Sequence, residues 1–240
     1  MTTELNHGKA DMGSGAQLSR AEQLAEVSVF LFLVVPSLLL SFFAIKQGGL
    51  SFVFVALSTI LRDLALVGLI VFFAWRNGEP LERIGWTFKN GWNNFALGIV
   101  LFAPFFFGIG LIESILLAMG FSAPSTPLPS FLSPNGAAEF LLAIVLVLVV
   151  AVAEETIFRG YLVLRFKAVT GSSAAAVLLS AVIFSLGHGY EGSVGVITVG
   201  VMGLVLALIY LRRQSLVAPV VIHFLQDFLG IVLLPLLRIK

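Results

Sequence analysis

Six residues of this chain could together do acid–base chemistry: Glu154, Glu155, Arg159, His188, His223 and Asp227. Glu154 and Glu155 follow directly on the apolar run 140–153. Two carboxylates and an arginine therefore sit where hydrocarbon would surround them. An ionisable group there costs several kcal/mol unless it is paired or faces a wet cavity, so it reads as a functional site. Glu155 and Arg159 are four residues apart, share a helix face and can pair. Glu154 falls on a neighbouring face, rotated by about 100°. Less directly paired in a low dielectric, it is placed to act as a general base or acid.

The two histidine segments are the expected partners. Glu154 stands seventeen residues before Gly171, and His188 seventeen after it. If Thr170-Gly171 turns a helical hairpin, both lie about 25 Å from the turn at 1.5 Å per residue. They would then meet at one depth. Phe184 shares a face with His188, and His223 shares one with Asp227, by the same four-residue spacing. A carboxylate beside a histidine fixes its tautomer or takes its proton; a protonated Asp227 would instead donate to a reacting oxygen.

The elements that must position these groups are membrane helices. The chain has 240 residues, 59% of them hydrophobic and 11% charged, against roughly 25% charged in soluble domains. Apolar segments fall near 25–45, 52–75, 93–119, 138–162, 173–188, 194–211 and 216–236. At about 20 residues per span these predict an all-α, polytopic bundle of seven to eight spans. The segments at 173–188 and 194–211 are short and glycine-rich, and read as closely packed or partly broken helices.

Residues 1–22 are expected to be a polar, disordered cytoplasmic tail, and 23–240 one transmembrane domain. With the N-terminus inside, ten Lys and Arg residues face the inside and three, Lys46, Arg238 and Lys240, the outside; Arg62 is intramembrane. The loop 76–91 reads as an interfacial amphipathic piece, and Trp75, Trp86 and Trp92 as interfacial anchors. Residues 120–136, with four prolines and no charge, read as a stiff outer loop. Arg62 and Asp63 read as a structural pair, and Glu113 as a partner of Arg62 or an outer-surface charge.

A net charge of +1 gives no sign of a nucleic-acid partner, and the lack of cysteine excludes thiol chemistry and cysteine metal sites. The His-Glu-x-x-His and Gly-x-Ser-x-Gly protease motifs are missing. The lack of a transit-like, Arg/Ser-rich N-terminus and the compact length favour a prokaryotic plasma membrane.

Glu-Glu-x-x-x-Arg, then Phe-x-x-x-His, then His-x-x-x-Asp, in order on separate helices, resembles the CAAX-protease and bacteriocin-processing intramembrane endopeptidases. This is the Abi family, which includes the Ras-converting prenyl-protein endopeptidases. The resemblance covers about 138–230 and implies an endopeptidase acting on a membrane-associated substrate, such as a prenylated CAAX C-terminus or a bacteriocin-like peptide. It further implies that Glu154 activates water with His188 and that Glu155 and Arg159 support the site. His223 and Asp227 would stabilise the oxyanion, although the prenyl-protein branch typically has asparagine where Asp227 stands. A divalent metal such as zinc, held by Glu154, His188 and His223, and metal-free water activation are both open. Membrane lipid and a lipidated or membrane-embedded peptide are the implied partners. The alternatives are a non-catalytic peptide-binding or self-immunity protein, and a proton-coupled transporter, which more often carries internal repeats.

Overall fold

The computed structural model describes residues 18–44, 50–123 and 130–237. The expected tail, apart from residues 18–22, lies outside them, as do Lys46, Arg238, Lys240 and the centre of the proline loop. The described residues are helical, with no strand among them. The helices are α1 (Arg20–Ala44), α2 (Phe52–Arg76), α3 (Gly91–Ala118), α4 (Gly136–Thr170), α5 (Ser173–Leu186), α6 (Gly192–Arg213) and α7 (Val217–Leu236).

Their ends follow from local chemistry. Ser51 caps α2 by accepting the Phe54 N–H, and Ser172 caps α5 by accepting that of Ala175. Between α4 and α5, Gly171 takes φ +73°, the left-handed conformation that ends a helix and that glycine adopts without strain. The predicted hairpin turn is therefore at Thr170-Gly171, and α4 and α5 run back along each other.

Six helices are long and apolar enough to cross a bilayer, and α5 is the exception. The sequence segment 173–188 was expected to span. It forms a helix of 14 residues, because Gly187, Gly189 and Gly192 break it into a short turn before α6. The α5–α6 contact is the small-residue packing anticipated: a Cβ on Gly203 would come within 3.3 Å of Ala181.

The longest helix, α4, has 35 residues and packs against α2, α5 and α7, with α1 along its C-terminal part. Its segment Glu155–Leu162 winds as a π-helix, and α7 does the same over Phe228–Leu233. Such widened turns are rare and concentrate at functional sites. Phe30, Tyr161, Phe158 and Phe184 centre one apolar cluster around α4. Phe105, Ile109, Leu206 and Ile222 join α3, α6 and α7 in another. The outward positions of the long helices are large apolar side chains such as Phe32, Leu61, Phe107 and Leu141, the surface expected against lipid.

One end of the bundle is locked by charge. Arg165, near the end of α4 and 2% exposed, makes a two-pronged contact with Glu79 and a 3.0 Å ion pair with Glu26 of α1. Asn77 donates to Glu26 at 2.6 Å. The loop after α2 is thus drawn into the bundle rather than lying flat on its surface, as the sequence suggested. Its Ile84 is buried, and the Gly85 carbonyl accepts the Leu216 N–H at the start of α7. A Cβ on Gly160 would lie 2.5 Å from the Ile84 carbonyl oxygen, so only glycine admits this contact. Trp75 and Trp92 are exposed at helix ends as predicted. Trp86 is not an anchor: its indole N–H points inward and donates to the Thr156 hydroxyl at 3.2 Å.

Arg165→Met should cost about 3 kcal/mol, because it leaves buried Glu26 with only the Asn77 amide and Glu79 with only the partly exposed Arg83. Thermal unfolding in detergent, followed by circular dichroism, measures this loss.

Candidate active site

Glu155 is fully buried on α4, and its Oε1 serves two partners. Arg159 approaches it at 3.0 Å, the pair predicted from their spacing. His223 of α7 places Nδ1 at 2.8 Å from the same oxygen. A carboxylate accepts here, so the Nδ1–H of His223 donates to Glu155 and Nε2 faces the other way. That nitrogen is 3.7 Å from Glu154 Oε2 and 3.4 Å from Asp227 Oδ2. The spacing paired His223 with Asp227, and the resemblance grouped it with Glu154; the contact with Glu155 was not anticipated.

The guanidinium of Arg159 is completed by an aromatic face. It lies 4.2 Å from the ring centre of Phe184 on α5, a cation–π contact within a desolvated site. Phe184 also packs edge-on against Phe158 at 4.9 Å, His188 at 5.2 Å and His223 at 6.1 Å between ring centroids. It is the hub through which His188 joins the cluster. His188 itself stands just past the end of α5. Its ring lies beside Tyr190, and its Nδ1 is 3.4 Å from the Phe184 carbonyl. Among the described residues it makes no ion pair with Glu154. Phe184 links His188 to Arg159 of α4 and His223 of α7.

The α4 π-helix is held from both sides. Thr156 donates to the Val152 carbonyl at 2.7 Å while accepting from Trp86. Ser180 of α5 donates to the Phe158 carbonyl at 2.6 Å. Neither contact was anticipated, since a hydroxyl in an apolar helix carries no signal of which neighbouring backbone it serves. Two further expectations resolve plainly. Arg62 pairs with Asp63 at 2.8 Å and not with Glu113, which is exposed towards the opposite end of the bundle. Asp63 is buried and lies within electrostatic range of Glu154 and His223.

The candidate metal ligands do not fit an ion. Glu154 and His223 approach each other, but His188 is turned to the Phe184 carbonyl, and no group of three or more His, Asp or Glu among the described residues converges as a ligand set. The arrangement suits proton chemistry instead. A carboxylate orients an imidazole, whose far nitrogen faces two more carboxylates that keep partial access: the side chains of Glu154 and Asp227 are 15% and 24% exposed.

Residues 136–229 match the family model described as Type II CAAX prenyl endopeptidase Rce1-like. The matched segment runs from the start of α4 into the π-helix of α7 and contains all six motif residues. It supports the CAAX-protease family resemblance read from the motifs and leaves α1 to α3 outside. No curated protein and no solved structure matches the chain.

Glu155→Ala should destabilise the fold by about 3–5 kcal/mol, since it leaves Arg159 and the His223 N–H buried without their acceptor. Glu155→Gln keeps an oxygen acceptor and should lose clearly less, a difference readable in detergent unfolding of the two variants side by side.

Proposed function

We propose that this protein is an intramembrane endopeptidase that hydrolyses a peptide bond of a membrane-associated substrate, with Glu154 as general base. The observation that carries this reading is the single imidazole of His223, oriented by Glu155 at Nδ1 and flanked at Nε2 by Glu154 and Asp227. The Rce1-like match over 136–229 supports the family and the protease class.

In this mechanism a water beside Glu154 loses its proton to the carboxylate as its oxygen attacks the scissile carbonyl. The C–O bond forms, and the carbonyl oxygen becomes an oxyanion. His223, when it carries both ring protons, donates from Nε2 to that oxygen, while Glu155 and Arg159 hold the ring in place. Glu154 then returns the proton to the departing amine as the C–N bond breaks. Asp227, 3.4 Å from Nε2, faces the same ring nitrogen from within α7. This changes the division of labour suggested by the motifs: Glu155 acts through His223 as well as through Arg159. His188 flanks the reaction centre beside Phe184 and serves water or substrate from there.

A helix bundle whose polar centre lies beneath lipid-facing surface suits a substrate that arrives through the membrane. A prenylated C-terminus and a bacteriocin-like peptide both meet that requirement. The end of the bundle locked by Arg165 carries Arg76, Arg83, Lys89, Lys167, Arg212 and Arg213, and we assign it to the cytoplasmic side by the positive-inside rule. The non-catalytic alternative, a peptide-binding or self-immunity protein, predicts the same polar cluster without turnover.

Glu154→Gln should lower cleavage of a quenched, prenylated CAAX peptide by roughly 100-fold or more with the protein still folded. Cleavage that persists in this variant would sink the assignment, and binding without turnover in the unaltered protein would favour the alternative. Because three ligands do not converge, a strong zinc chelator should leave the rate within about two-fold, where loss of a structural or catalytic zinc would abolish it.

A further inference from the structure

Asp63 lies on α2, outside the segment that matches the family model, and none of the three motifs includes it. It is 1% exposed, and its Oδ1 is taken by Arg62 at 2.8 Å. Its other oxygen, Oδ2, is buried and meets no protein donor. Across the α2–α4 contact Glu154 Oε2 is likewise buried without a hydrogen bond, His223 Nε2 standing off at 3.7 Å. Two buried carboxylate oxygens without donors are costly, and such groups are ordinarily satisfied by protein or by ordered water.

Both side chains line one small cavity between α1, α2 and α4. Its volume is about 20 Å³, above the ~10–15 Å³ that one water needs. Its polar lining is Asp63, Glu154, Arg62 and Ser37, and the rest is apolar. One water has two O–H bonds, the number of donors that the two oxygens lack.

We propose that Asp63 is a positioning residue for Glu154: the two carboxylates hold a single water between them, which donates one O–H to Asp63 Oδ2 and the other to Glu154 Oε2. The proposal rests on the reading of Glu154 as the general base. The water fixes the carboxylate plane of Glu154 at its buried oxygen, and the exposed part of the group stays free to meet the reacting water. Arg62 holds Asp63 from the other side, so its partly exposed guanidinium supports the site and does not merely neutralise a stray charge. A base tethered in this way loses rate, not affinity, when its tether is cut.

The test uses the full-length protein in lipid nanodiscs, with Asp63→Asn, Asp63→Ala and Glu154→Gln beside the unaltered chain. Infrared spectra in H2-16O and H2-18O should contain an isotope-sensitive O–H stretch from the held water, and Asp63→Ala should remove it. On the prenylated CAAX peptide, Asp63→Ala should lower kcat by about 10- to 100-fold with KM nearly unchanged, and Asp63→Asn, which retains one acceptor oxygen, should lose less. A purely structural pair would instead lower the folded fraction and leave the kcat of the remaining protein intact, which overturns the proposal. So does absence of the band from the unaltered protein, a result that decides the matter even where a variant fails to fold. If Glu154→Gln abolishes turnover while Asp63→Ala leaves kcat intact, only the role of Asp63 falls; if Glu154→Gln cleaves normally, the assignment of the base falls with it.

Discussion

The structure depends on one carboxylate. Glu155 has no exposed surface, and removing it from water costs several kcal/mol that only good partners repay. It has two, Arg159 within its own helix and His223 from α7. The guanidinium in turn needs the face of Phe184 from α5. Three helices must therefore be in register before this charge can be buried. The same register sets the distances from His223 to Glu154 and Asp227, so the condition for folding and the condition for chemistry coincide.

A second polar layer does similar electrostatic work with a different outcome. Arg165, Glu26 and Glu79 close one end of the bundle and leave little open surface. The loop after α2 is pinned there, and through it Trp86 reaches Thr156 in the π-helix behind the site. The end lock thus acts on the centre by holding the α4 backbone in its widened form. Ser180 does so from α5. The central layer differs in keeping part of two carboxylates accessible, which is what separates a reactive cluster from a fastening.

Much of this could be read from the residues. The Glu155–Arg159 pair, the turn at Gly171 and the joint presence of Glu154, His223 and Asp227 all follow from spacing and from the cost of charge in an apolar helix. What could not be read has physical reasons. Asp63 looked like the partner of its neighbour Arg62, and so it is at Oδ1; nothing in a single sequence reveals which helix faces Oδ2. Trp86 looked like a membrane anchor because indoles at helix ends usually are, but Gly85 and Gly160 let its loop sink inward. The site distances were argued on a 3.6-residue period, whereas α4 is π-wound from Glu155 to Leu162. The length of α5 was overestimated because hydropathy continues through glycines that end the helix.

That short helix has a mechanical consequence. Its 14 residues rise only about 21 Å at 1.5 Å each, against a hydrocarbon layer about 30 Å thick. The neighbouring spans match or exceed that thickness. Lipid beside the α5–α6 turn must shorten its acyl chains, tilt them or let headgroups follow the protein downward. In a bilayer of that thickness His188 would stand where the membrane is drawn inward, at a cost that grows with membrane thickness.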